Sequence, residues 1–311
     1  MKIVAKVGRE DIAMIYIAEM DKGKQIEFVE SVQPPLPREK KWVLIVSTLY
    51  GCPVSCRFCD AGGNFQGKLS KDEIVFQIDY LIKMRFPERR VSVEKFKIQF
   101  ARMGEPAFNQ DVLDVLMELP DLCNAPGLIP SISTIAPEGT DKFFKRLLDI
   151  KKRYYRGKFQ FQFSIHTTDV KLRKWLVPVK KWDFGKMAEY GDIFYEKGDR
   201  KIALNFALAN GMPVNPDILL HHFNPDKFLI KITPVNPTHQ ATKNKISSHI
   251  LPEKKEYPII DALCRAGYEV LLSIGELEEN YIGSNCGQYI TNYKRKKEFI
   301  KDSYTYHLQK L

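Results

Sequence analysis

Half of the six cysteines in this 311-residue chain fall within eight residues, as Cys52, Cys56 and Cys59 of GCPVSCRFCDAG. Three thiolates at this spacing can hold three corners of one metal centre. Structural zinc takes four tetrahedral ligands, commonly from two CxxC pairs. No second pair exists in the chain, so zinc would need a distant His or Cys. A dithiol redox site uses two cysteines and leaves the third without a task. A [4Fe–4S] cluster held by three thiolates leaves one iron without a protein ligand, free to bind a small molecule directly. Cys123 and Cys264 lie in helical patterns and read as core thiols, while Cys286 stands alone in SNCGQ.

Apolar, β-rich runs must carry this loop. They are WVLIVST (42–48), KFKIQFA (95–101), IPSIST (129–134), KFQFQFSI (158–165), KIALNFAL (201–208), FLIKIT (228–233) and YEVLLSI (268–274). Amphipathic segments separate them. One of these, SKDEIVFQIDYLIKM, opens with Ser70 and Glu73 in capping-box spacing. Alternation of strand and helix predicts a parallel α/β architecture, in which working residues gather at the C-terminal ends of strands. The cysteine loop follows the first body strand. Gly104-Glu105-Pro follows the second, Ser133 ends the third, Ser164 and His166 end the fourth, and Asn236 follows FLIKIT. PPLPREK (34–40) divides a β-hairpin over residues 1–33 from the α/β body. The expected organisation is therefore an extension and linker over 1–40, a body over 41–275 and a C-terminal segment over 276–311.

The formal charge of +10 concentrates at FPERR, KKRYYRGK and YKRKKEFIK, and it suits a polyanionic partner as well as ordinary solvated helix faces. No apolar run reaches the ~20 residues of a membrane span, and the N-terminus lacks the apolar core of a signal peptide. These features predict a cytoplasmic protein without a membrane partner, and a monomer.

CxxxCxxC with Phe58 before its third cysteine resembles the signature of the radical S-adenosylmethionine (SAM) enzymes. The blocks VSTLYGCPVSCRFC, MGEPAFN, IST, FSIHTTDVKLRKWLVPVKK, ITPVNP and NCGQ, in this order, are similar to those of the RlmN/Cfr family of RNA adenine methyltransferases. The resemblance runs from about Glu30 to Gln288. It implies an α/β fold built as a partial (β/α)6 barrel with a small N-terminal hairpin extension. It implies a [4Fe–4S] cluster on Cys52, Cys56 and Cys59. SAM would bind against Phe58, Gly104, Glu105, Ser133, Ser164, His166 and Asn236. Cys286 would carry a methyl group from one SAM, and a radical from a second SAM would activate that methyl for addition to an sp2 carbon. Glu30 falls where the family carries an acid/base carboxylate. The implied partners are RNA, ribosomal or transfer, and a reductant such as flavodoxin or ferredoxin.

Three departures stand out. Ile45 occupies the place of the family's second catalytic cysteine and can neither move a proton nor exchange a disulfide. The stretch before NCGQ is acidic at Glu276, Glu278 and Glu279, which predicts repulsion of phosphates. The resemblance begins near the hairpin, so the chain is expected to lack the N-terminal helical domain of longer family members. The alternatives are a radical SAM enzyme acting on a small molecule or protein, and a noncatalytic iron–sulfur or RNA-binding protein.

Overall fold

The computed structural model describes residues 1–251, 256–285, 289, 290 and 303–311, with Lys22 described in its backbone only. The chain opens with β1 (Lys2–Arg9), β2 (Ala13–Glu19), β3 (Gln25–Ser31) and β4 (Lys41–Val46). A short hairpin, β5 (Leu49–Cys52) and β6 (Gly63–Lys68), brackets the cysteine loop. Then follow α1 (Lys71–Arg85), β7 (Lys95–Phe100), α2 (Asp111–Leu122), β8 (Leu128–Thr134), α3 (Asp141–Tyr154) and β9 (Gln160–Ser164). The second half contains α4 (Val170–Leu176), α5 (Phe184–Phe194), β10 (Ile202–Ala207), α6 (Pro216–His222), β11 (Phe228–Thr233) and α7 (His239–Lys243). It ends with α8 (Pro258–Arg265), β12 (Val270–Leu272), α9 (Leu277–Ile282) and β13 (Gln309–Lys310).

Eleven strands form one sheet in the order β12-β11-β10-β9-β8-β7-β4-β3-β2-β1-β13, and the run from β12 to β4 is parallel throughout. This is the parallel α/β architecture that strand–helix alternation predicts, in the partial-barrel form that the family resemblance implies. Its first helix starts as the sequence requires: the Ser70 side chain accepts from the Glu73 N–H and the Glu73 carboxylate accepts from the Ser70 N–H. No helix among the described residues is long and apolar enough to cross a membrane.

Alternation along each strand divides the sheet into two chemically different faces. Trp42, Leu44 and Val46 of β4 and Phe96, Ile98 and Phe100 of β7 are fully buried in the helix-side core. The opposite, inner face carries polar groups. Register aligns Ile45, Gln99 and Ser131 across one row, and Ser133, Gln162 and Ala203 across another. Ser164, Asn205 and Lys231 make a third row.

Two details differ from the sequence reading. The N-terminal hairpin is a three-stranded meander whose third strand pairs antiparallel with β4, so it continues the barrel sheet. Residues of β2 and β3 are buried on both faces, a pattern that a half-solvated hairpin cannot have. Cys264 is exposed, whereas Cys123 is buried as expected. Leu263 is the residue by which α8 faces the core, and a neighbour turned ~100° around the helix points away from it.

Candidate active site

The cysteine loop is shaped by backbone demands before any ligand is considered. Gly51 has φ +75°, and a Cβ there would lie 2.7 Å from the Asn64 carbonyl oxygen, so only glycine fits. Two tight turns follow, with the Cys59 N–H donating to the Cys56 carbonyl (3.1 Å) and the Gly62 N–H to the Cys59 carbonyl (3.2 Å). Cys52, Val54, Phe58 and Ala61 pack with Ile135, Leu176, Ala207 and Val235 in a small apolar cluster apart from the main core. Polar bolts hold the loop from outside. Thr238 Oγ1 donates to the Phe58 carbonyl (2.7 Å), and Asp60 accepts from the His239 and Gln240 N–H groups and from the Tyr304 hydroxyl.

Burial pushes the Cys52 thiol up to about 11, while N–H groups of Val54, Glu105 and Ser55 near its sulfur pull the other way. Burial raises Cys56 further, with Cys59 and Cys52 as the next causes, which places the three sulfurs in one electrostatic neighbourhood. Among the described residues, no three His, Cys, Asp or Glu side chains converge as a site for one metal ion. An iron–sulfur cube does not need that convergence, because each thiolate binds a different iron. An apolar wall and N–H groups aimed at sulfur are the surroundings such a cluster uses. The donor set fits the cube better than zinc, which asks for a fourth ligand.

The Gly104-Glu105 turn presses against this loop. Gly104 has φ +102°, and a Cβ there would meet the Leu49 side chain at 2.5 Å. The Met103 carbonyl accepts from the Thr48 and Leu49 N–H groups, tying the turn to the segment that enters β5. The Glu105 carboxylate accepts from the Ala107 N–H (3.1 Å), the Thr134 hydroxyl and the Ile135 N–H (3.0 Å), so it joins the ends of β7 and β8. Burial raises its pKa to about 7.

Ser133, Ser164, His166 and Asn236 gather at the same strand ends. His166 adopts φ +69° and is buried, its ring edge-on to Phe58 at 4.9 Å. Its Nδ1 accepts from the Ala207 N–H (3.2 Å), which leaves the proton on Nε2, and burial lowers its pKa to about 3. The imidazole is a fixed neutral donor. Ser133 Oγ, Asn205 Oδ1 and Asn236 Oδ1 are buried without hydrogen-bond partners among the described residues. Native interiors rarely leave such atoms unpaired, and a ligand rich in hydroxyl and amino groups would satisfy them.

Glu30 is placed elsewhere. Register sets it beside Leu44 on the helix side, where it accepts from the Tyr16 hydroxyl (3.0 Å), Trp42 Nε1 (3.0 Å) and Arg85 Nη2 (2.7 Å). Sequence reasoning missed the buried carboxylate of the inner face, Glu27. It meets Arg102 Nη2 at 2.6 Å, with side chains 0 and 1 % exposed. Arg102 also donates to the carbonyls of Gly283 (2.9 Å), Ser284 (2.7 Å) and Asn285 (3.0 Å), while Glu27 accepts from the Ile290 N–H (3.1 Å). The pair thus grips the chain on both sides of Cys286, which itself lies outside the described residues. Strand parity was the available signal, since Glu27 lies two residues from Val29, the partner of Ile45. The acidic run is partly consumed by the fold: Glu279 caps α9, and Glu278 binds the Tyr306 hydroxyl.

No protein-family model matches the chain. It is 29 % identical over 190 residues to a probable dual-specificity RNA methyltransferase RlmN of Synechococcus sp. (strain CC9311), covering 60 % of this chain and 51 % of that protein. Identity is 26 % over 312 residues with the dual-specificity RNA methyltransferase RlmN of Wolinella succinogenes, covering 92 % and 83 %. The matched region thus ranges from about half to about four-fifths of these relatives' length. Among solved structures, a radical SAM methyltransferase from Sphaerobacter thermophilus superposes with a TM-score of 0.64 at 19 % identity, over 92 % of this chain and 80 % of that one. The chain shares the fold of that protein. In sequence the chain is similar to these RlmN methyltransferases, and in fold to the radical SAM methyltransferase from Sphaerobacter thermophilus.

Proposed function

We propose that the chain is a radical SAM methyltransferase that transfers a methyl group to an sp2 carbon, with adenine in RNA as the substrate. One observation carries the reading: the cysteine loop, the Gly104-Glu105 turn and the unpartnered oxygens of Ser133, Asn205 and Asn236 meet at one end of the barrel. Cys52, Cys56 and Cys59 hold a [4Fe–4S] cluster. Phe58, Gly104, Ser133, Ser164, His166 and Asn236 bind SAM, with Glu105 fixing the turn beside it. When bound, cluster and SAM supply a reducing electron, a 5′-deoxyadenosyl radical and a methyl group. The chain excludes water from the loop with its apolar wall and presents His166 Nε2–H as a neutral donor. Cys286 is the methyl carrier. A methyl held as a thioether can be delivered as a radical to a carbon that an electrophilic methyl does not attack.

Anaerobic reconstitution with iron and sulfide tests this. The expected result is a brown protein that cleaves SAM to 5′-deoxyadenosine under dithionite and gains one methyl, lost in Cys286→Ala. A colourless protein that copurifies with zinc would end the radical reading. Ile45, on the inner face opposite Val29, offers no proton or thiol to resolve an enzyme–RNA adduct. It favours a second reading, in which the substrate is a small molecule or protein. Comparing modified nucleosides in cells with and without the gene separates the two: identical profiles remove RNA.

A further inference from the structure

Below the strand ends, the inner face carries a group of cations. Lys95 and Lys97 share the inner face of β7 with Gln99, because Phe96, Ile98 and Phe100 take the core side. Lys41 of β4 stands directly beside Lys95, and Lys97 lies between Val43 and Ile129. Lys231 of β11 projects from the same face, between Asn205 and Leu271. Arg200 leads into β10.

Lys97 is half-buried and has no hydrogen bond or ion pair to any described residue. The charges acting on it are, in order, Lys231, Lys41, Lys95 and Arg200, every one a cation. Like charges on adjacent strands destabilise a sheet, and a low-dielectric lumen amplifies their repulsion. Elsewhere on the surface the chain pairs such lysines, as Lys40 with Glu94 and Lys201 with Glu269. Here Lys41 Nζ donates only to the neutral Gln33 amide oxygen, and the side chains of Lys95 and Lys97 have no hydrogen bond or ion pair among the described residues, although a single apolar substitution at position 97 would relieve the repulsion.

We propose that Lys97, with Lys95 and Lys41, forms a binding site for a phosphate group inside the barrel, supplied by the substrate. Neighbouring strands lie ~4.8 Å apart, so flexible lysines rooted on β4 and β7 can reach separate oxygens of one phosphate. Gln99, one step nearer the strand ends on the same face, can add a neutral donor. The source follows from the reading of this face as the substrate side, and the site's existence does not depend on that reading.

Reconstituted full-length protein is titrated with inorganic pyrophosphate, read by thermal shift, and with a labelled single-stranded RNA, read by anisotropy. Lys97→Gln and Lys95→Gln are compared with Lys145→Gln, a basic-surface control on α3. Removing an unpaired charge leaves the fold intact, so the variants remain measurable. The expected result is pyrophosphate stabilisation of wild type and control, weakened at least tenfold in both inner-face variants. RNA binding should weaken in parallel and be displaced by pyrophosphate, which assigns the site to a phosphate of the nucleic acid. Lost pyrophosphate binding with RNA affinity unchanged would overturn the substrate source. Equal pyrophosphate affinity in all four proteins would overturn the site. Neither readout needs SAM turnover, so either failure is distinct from failure of the radical reading.

Discussion

Glu27 and Glu30 stand three residues apart on β3, both buried and each paired with an arginine, yet they face opposite sides of the sheet. Glu30 has several donors, Tyr16 of the meander, Trp42 of β4 and Arg85 of α1, with Arg38 of the linker between β3 and β4 at 3.7 Å. Removing one leaves it others. Glu27 has one guanidinium, and that guanidinium also carries the carbonyls of Gly283, Ser284 and Asn285. Redundancy marks a joint that holds the scaffold. A single cation shared with the carbonyls beside Cys286 marks a joint through which scaffold and site depend on each other.

Breaking the second joint should have the largest effect. Arg102→Met leaves the Glu27 carboxyl buried without its cation, so that it must stay charged in a low dielectric or take up a proton, at a cost of about 3–5 kcal/mol, read from denaturant unfolding. Adding Glu27→Gln should recover part of it, because the orphaned charge is then gone. A single-variant loss below about 1 kcal/mol would put the pair among interactions of ordinary surface strength.

The first joint should give way less. Arg85→Met should cost about 1–3 kcal/mol, since Glu30 keeps neutral donors and the nearby Arg38. Its sharper consequence is what it spares: iron content and SAM cleavage per cluster should match wild type. Loss of SAM cleavage at full iron content would tie Glu30 to the chemistry and undo the argument from faces.

Much of this was legible in the sequence where the signal is local. Cysteine spacing, the Gly104 turn and the Ser70–Glu73 capping box each reside in a few contiguous residues, and the structure contains each turn or cap as read. Apolar runs gave the parallel strands to within a few residues. What escaped depends on pairing between distant segments. Nothing in IEFVES says which carboxylate faces Arg102 until β3 is registered against β4. Cys264 escaped for a related reason: helical periodicity places it near a core face, but neighbours in space decide which side of α8 is covered. That Glu278 of the acidic stretch meets the Tyr306 hydroxyl escaped too, because Tyr306 lies far along the chain.

The smallest expected effect carries the contrast of faces over to cations. Lys97 loses its proton at about 7 in the folded chain, because burial disfavours its charge and Lys231, Lys41, Lys95 and Arg200 repel it; its ordinary value is 10.5. Between those values the unfolded chain binds more protons than the folded one, so this group makes stability rise with pH across that window. Glu279 acts on Lys41 with the opposite sign but does not figure among the charges on Lys97. At pH 7 Lys97→Met should therefore be the more stable protein, by about 1 kcal/mol after allowing for solvent screening. The gap should close towards pH 10. In unfolding midpoints this is roughly 1–2 °C for a chain of this size. Saturating pyrophosphate should shrink the gap at pH 7 as well, because an anion restores the reason for the charge. A gap constant from pH 7 to 10 would mean that Lys97 stays protonated in the fold and that the repulsion around it is already screened.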